Sequence, residues 1–173
     1  METAEAQTLR PFFDESRWSA ADKKRSLGIA YFEAAQAEKD PGLASIYKSK
    51  ASSLLSESYD LGLRDPALEA RLARLYFQID HIKALPLAQS VLSYKDKDGW
   101  DRSTALFIVG WERLKRREFK DARQALRDLV TVRRYPHDWL LLADACKGLD
   151  DRAGFDEAMR MARKIQPRLS LPR

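Results

Sequence analysis

Cysteine, histidine, glycine and proline are all scarce in this 173-residue chain, at one, two, seven and seven residues. Each shortage removes a class of explanation. A single Cys146 cannot close an intrachain disulfide, so packing must supply the stability, and a reducing, cytoplasmic setting is compatible. One cysteine and two histidines, His81 and His137, lie in neither HExxH nor CxxC surroundings and make no zinc site. No GxSxG, Walker or GxGxxG stretch appears, so neither a nucleophile elbow nor a phosphate-cradling loop is encoded locally. Carboxylate pairs such as Asp150-Asp151 fall in turns with solvated neighbours. These absences argue against an enzyme and against any bound cofactor or metal. No apolar run reaches the roughly 18 residues of a transmembrane helix. The opening METAEAQTLR has no basic segment leading into an apolar core, so no secretory signal is legible.

What is present points to helices. Ala and Leu are abundant, Val and Ile are few, and Gly and Pro fall between periodic segments. Charge is mixed, 31 Lys and Arg against 26 Asp and Glu, so the net +5 favours acidic partners without making a polycation. Residues 1–18 read as a tail carrying Pro11-Phe12-Phe13, and 168–173 as a second tail. Ser19 to Asp22 suits a helix start, with a capping oxygen and an acid at the positive end. The helix that follows is expected to place Leu27, Ala30, Tyr31, Ala34 and Ala35 on one face. Asp40-Pro41-Gly42 breaks it, and a second helix carries Ile46, Tyr47, Ala51, Leu54, Leu55 and Tyr59. Asp65-Pro66 pairs an N-cap with a proline at the first helical position. Further helices are predicted at about 66–79, 85–95, 101–116, 118–134, 136–147 and 152–165. Together they give four antiparallel hairpins at about 19–61, 66–95, 101–134 and 136–166.

The hairpins repeat. A shift of 34 places Leu72 on Leu106, Leu75 on Val109, Tyr76 on Gly110 and Phe77 on Trp111, then Leu85 on Phe119, Ala88 on Ala122 and Leu92 on Leu126. A shift of 33 carries Leu106, Val109 and Gly110 onto Trp139, Leu142 and Ala143. A shift of 36 carries Phe119, Ala122 and Leu129 onto Phe155, Ala158 and Ile165. The last hairpin thus holds three extra residues in its turn, around Gly148 to Asp151. In the first hairpin Ala51 lies 23 residues after Gly28, against 12 between Gly110 and Ala122, so both of its helices should be longer. Gly28, Gly110, Ala122 and Ala158 are the small residues that let two helices approach.

The pattern of Trp139, Leu142, Ala143, Phe155, Ala158 and Pro167, with Leu27-Gly28-Ile29-Ala30-Tyr31 at the other end, resembles the tetratricopeptide (TPR) repeat family. It covers about residues 19–167. Tyr76 departs from it where a small residue is usual, and Arg113 and Cys146 stand where Tyr is usual. The resemblance implies an all-α, right-handed solenoid of about four hairpins, acting as a protein-interaction scaffold. In such a solenoid the first helix of each pair lines the concave face, here with Ala73, Phe77 and Asp80, then Phe107, Trp111 and Leu114, then Leu140, Asp144 and Lys147. Phe77, Phe107, Trp111 and Leu140 would form an apolar stripe for a peptide or an amphipathic helix, with Asp144 at its edge. TPR domains that clamp a chaperone's C-terminal carboxylate carry Lys and Asn there, so the resemblance argues against that specificity. The last helix gathers Phe155, Ala158, Met159, Ala162 and Ile165 on one face with charges elsewhere, as a terminal repeat requires. The first hairpin is the atypical one and reads as the opposite cap.

A basic cluster competes for attention. Lys115, Arg116 and Arg117 fall in a predicted turn, and Arg133 and Arg134 at a helix end, where cations offset the negative end of the helix dipole. A nucleic-acid groove would instead align cations along one face with aromatics between them. The favoured partner is therefore a protein or peptide. A basic-surface nucleic-acid binder, and a helical domain of a larger enzyme or secretion assembly, stand as the alternatives. Self-association is left open.

Overall fold

The computed structural model describes residues 18–95 and 99–167; both expected tails, apart from Trp18, lie outside this range. Among the described residues there are eight helices and no strand: α1 (Ala20–Ala37), α2 (Pro41–Asp60), α3 (Pro66–Tyr76), α4 (His81–Ser93), α5 (Gly99–Lys115), α6 (Phe119–Val132), α7 (Pro136–Lys147) and α8 (Arg152–Ile165). The chain divides into two compact units, Met1–Arg64 and Asp65–Arg173.

The first unit is the α1/α2 hairpin. Ser19 and Asp22 form a reciprocal capping box, and Asp40 accepts from the Leu43 N–H to start α2. The two helices run 18 and 20 residues, longer than their counterparts α5 and α6, as the Gly28–Ala51 spacing required. The buried face of α1 differs from expectation. Ala21, Gly28, Phe32 and Ala35 are buried, whereas Leu27 is half exposed and Ala30 and Ala34 face solvent. Gly28 decides this. Its backbone lies so close to Leu55 that an added Cβ would meet the Leu55 Cγ at 2.8 Å, and Leu27, about 100° round the helix, is turned away. On α2 the buried set is Ala51, Leu55 and Ser58, while Ile46 is exposed. The Ser58 hydroxyl donates to the Ala21 carbonyl at 2.8 Å, so this buried polar group is satisfied.

The second unit holds three hairpins. α3, α5 and α7 pack in succession, α4 covers α3 and α5, α6 covers α5 and α7, and α8 covers α7. Ala70, Leu72, Ala84, Ala88, Ile108, Leu126, Leu129, Ala143 and Ala158 are among the residues of its core. The paired small and large residues act as the repeat spacing suggested. A Cβ at Gly110 would come within 2.7 Å of the Leu126 Cγ, so these two helices touch through glycine. Leu55 lies four residues after Ala51, as Leu126 does after Ala122, so the contact fixes the first hairpin in the same register as the third.

α4 begins at His81, four residues before the start expected at about 85, because the Asp80 carboxylate accepts from the Lys83 N–H and caps it there. Pro86 then sits inside the helix. It withholds an N–H from the Ile82 carbonyl, but Ile82 is on the solvent side, where water can serve. Two helix ends use left-handed residues without glycine. Arg117 (φ 60°) follows α5, with Glu118 N–H donating to the Arg113 carbonyl and Arg117 N–H to the Leu114 carbonyl. Asp150 (φ 54°) follows α7 with the matching pair of bonds, Asp151 to Cys146 and Asp150 to Lys147. These are Schellman closures, as at Gly62 after α2.

Candidate functional site

Three of the residues assigned to the concave stripe form one cluster. Phe77 caps the C-terminus of α3 and is edge-on to Phe107 (centroids 5.5 Å, 73°) and to Trp111 (5.0 Å, 82°), which lie one helical turn apart on α5. All three are partly exposed, neither sealed in the core nor free in water. Edge-to-face geometry of this kind contributes about 0.5–1.5 kcal/mol per pair beyond area burial.

His81 completes the cluster, and sequence reasoning, which weighed it only as a metal ligand, missed it. In the first turn of α4 it stacks on Trp111 (5.0 Å, 29°) and meets Phe77 edge-on (5.1 Å). Its Nδ1 is 3.3 Å from the Glu112 carboxylate, which is buried beneath the cluster. The available signal was the Asp80 cap, which brings His81 back over α5. His137, at the start of α7, leans on Phe107 at 6.3 Å.

Cations border the rings. The Arg74 guanidinium lies over Phe77 and Phe107 at 6.0 and 5.9 Å, the Lys115 ammonium over Trp111 at 4.8 Å, and Arg133 over Phe107 at 5.1 Å. Burial, with nearby Arg133 as a second cause, holds the Arg74 guanidinium below its usual range. Arg133 is already engaged. It makes a two-pronged pair with the buried Asp138 carboxylate, Nε to Oδ2 at 2.6 Å and a terminal nitrogen to Oδ1 at 2.9 Å.

Beyond Trp111 the surface dips into a depression of about 460 Å³ lined by Trp111, Leu114, Lys115, Arg117, Phe119, Leu141 and Asp144. Asp144 is exposed on its wall. Leu140 is half-buried on α7 and belongs neither to the ring cluster nor to the lining of the depression. Ala73 and Asp80 are not groove walls: Ala73 is fully buried, and Asp80 is spent on the α4 cap and on Lys83 at 3.5 Å. Arg116 and Arg134 are exposed, and Arg117 occupies the left-handed closure after α5. Lys115 thus ends α5 and Arg116 and Arg117 form the turn after it, while Arg133 and Arg134 sit after α6.

The departures from the repeat pattern have local uses. Arg113 pairs with Glu118 across the closure of α5. Cys146 is buried against Gly154, and burial, with Asp151 nearby, pushes its thiol up, away from the thiolate a nucleophile needs. Among the described residues no group of three or more His, Cys, Asp or Glu side chains is placed to hold a metal ion. No described helix is long and apolar enough to cross a membrane.

No protein-family profile and no curated protein matches the chain. Solved structures do match in fold. One, titled MamA AMB-1, superposes with a TM-score of 0.59 at 15% identity, over 88% of this chain and 98% of that one. At that identity the likeness speaks for the fold alone. The described residues are all helical or in turns, and this chain shares its fold with that structure.

Proposed function

We propose that this chain is a non-catalytic protein-interaction module that binds a peptide or helix across the face formed by α3 and α5, with Phe77, Phe107 and Trp111 as anchors and Leu140 and Asp144 at the margin. One observation carries the reading: three aromatic rings from two neighbouring helices are held edge to face yet left partly exposed. Rigid, half-buried aromatics with few rotamers to lose are the favoured anchors of interfaces. A helical-repeat fold offers such a face without chemistry of its own, and the resemblance of the repeat pattern to the TPR family supports a scaffold role. A right-handed solenoid of about four hairpins belongs to this proposal too, resting on the resemblance of the repeat pattern to the TPR family. A cytoplasmic setting rests on the lone, buried Cys146.

The test is affinity capture from a lysate by wild type and by Trp111→Ala, read by mass spectrometry beside far-UV circular dichroism. The expected result is loss of specific proteins from the variant at unchanged helicity. Recovery of the same proteins by both would remove Trp111 as an anchor.

A further inference from the structure

Two of the acids around the aromatic face are already committed: Asp138 is gripped by Arg133, and Asp80 caps α4 and reaches Lys83, while Glu112 lies buried with an oxygen 3.3 Å from the His81 Nδ1. The cations are not all answered. Arg74 is half-buried over two rings, and among the described residues no carboxylate pairs with it; its charged neighbour is another guanidinium, Arg133. On the far side of Trp111, Lys115 and Arg117 face the depression against a single acid, Asp144. A guanidinium kept from water without a counter-charge is costly, and an incoming carboxylate relieves that cost while gaining a charge-assisted hydrogen bond.

We infer that the partner is an acidic linear peptide, in which an aromatic or aliphatic side chain packs on the Phe77–Phe107–Trp111 cluster and an adjacent internal Asp or Glu pairs with Arg74. This rests on the groove reading above and adds the charge of the ligand to it. The recognised group is a side-chain carboxylate within the peptide, so no free C-terminus is needed. Lys115 and Arg117 extend the same preference for acid toward the depression.

The experiment is selection of randomised peptides, displayed with both ends blocked by Gly-Ser linkers, on wild type, Arg74→Gln, Arg74→Lys and Trp111→Ala. Helicity and melting temperature are checked for each protein. Wild type is expected to enrich sequences with an acid beside an apolar residue, and Arg74→Gln to lose that acidic preference while Arg74→Lys keeps part of it. For an enriched peptide made synthetically, changing the acid to its amide should weaken binding to wild type by about tenfold or more. The same change should leave binding to Arg74→Gln nearly unaltered. Enrichment of apolar peptides without acid, or an acidic preference that survives in Arg74→Gln, overturns the acidic partner and leaves the groove reading standing. Selection that is unaffected by Trp111→Ala, or no enrichment on any protein, overturns both. A labelled single-stranded oligonucleotide that binds wild type and is lost in Arg74→Gln would replace the peptide with nucleic acid.

Discussion

Gly110 on α5 rests against Leu126 on α6 so closely that a methyl group at Gly110 would lie 2.7 Å from the Leu126 Cγ and 2.8 Å from a Cδ. Two effects oppose each other in Gly110→Ala. Alanine gains about 1 kcal/mol of helix propensity over glycine. Forcing a methylene into a packed contact costs about 1–3 kcal/mol, and Leu126 is fully buried with little room to retreat. The expected net is a destabilisation of about 1 kcal/mol, seen as a lower urea midpoint at unchanged m-value. Gly99→Ala, where nothing lies within 4 Å, is the matched comparison and should not destabilise.

The stability of Trp111→Ala separates an anchor from a core residue. Truncating a fully buried Trp costs about 3–5 kcal/mol. Trp111 is only partly buried, and its contacts are to Phe77, His81 and Lys115 at the surface of the unit. A loss of about 1–2 kcal/mol is expected, from two aromatic contacts and the area they cover. A loss at the full core value in urea unfolding would place Trp111 among the packing residues and withdraw it from the binding face.

Repeat spacing made much of the architecture readable, because a small residue facing a large one is a local rule that sequence preserves. Gly28, Gly110, Ala122 and Ala158 were all legible this way and are all buried. Two kinds of information were not. Helix rotation decides whether Ala73 or Arg74 faces the rings, and a difference of about 100° between successive residues exceeds what periodicity resolves on an 11-residue helix. Pairings such as Arg133 with Asp138 across a turn, and His81 with Trp111 between α4 and α5, depend on where a helix begins, and a single capping bond from Asp80 sets the α4 start four residues before the expected one. Composition told of basic residues at the α5 and α6 ends. It could not tell that Arg133 was already paired.

Arg117 and Asp150 occupy left-handed backbone that glycine adopts freely. Each closes a helix in the position usually given to glycine. Arg117→Gly is expected to raise stability by about 1 kcal/mol, and Asp150→Gly by less, since Asp tolerates this conformation better than Arg. Thermal unfolding checks both. A fall in melting temperature for Arg117→Gly would show that its side chain contributes more than its backbone costs.

Arg133 and Asp138 should behave as a pair. Removing Arg133 alone, as Arg133→Met, leaves a carboxylate 1% exposed without its partner, which costs about 3–5 kcal/mol for a fully buried pair and somewhat less here because Arg133 keeps partial solvent access. Asp138→Leu alone frees a cation that can turn to water, at lower cost. The double variant Arg133→Met, Asp138→Leu should be more stable than Arg133→Met. Additive losses in this cycle, with no coupling energy, would mean the two-pronged contact contributes nothing to folding.

The last hairpin should carry a recognisable acid sensitivity. The Gly154 N–H donates to Asp151, and Arg123 sits 3.0 Å from its other oxygen; the amide first and the guanidinium second hold this carboxyl below the usual range. A carboxylate depressed in the folded state binds its proton more readily when unfolded. Its contribution is therefore fully present above the ordinary carboxylate value, about 3.9, and is lost as pH falls through the lower folded value. Asp151→Asn keeps an oxygen to cap α8 but has no charge to lose. The stability gap between wild type and Asp151→Asn should be constant from neutral pH down to about 5 and close below that. Arg123→Gln, by removing one source of the depression, should narrow the gap at neutral pH. Urea midpoints measured from pH 7 to pH 2.5 decide it: a gap that stays constant through the acid range would mean Asp151 caps α8 by hydrogen bonding alone, with no contribution from its charge.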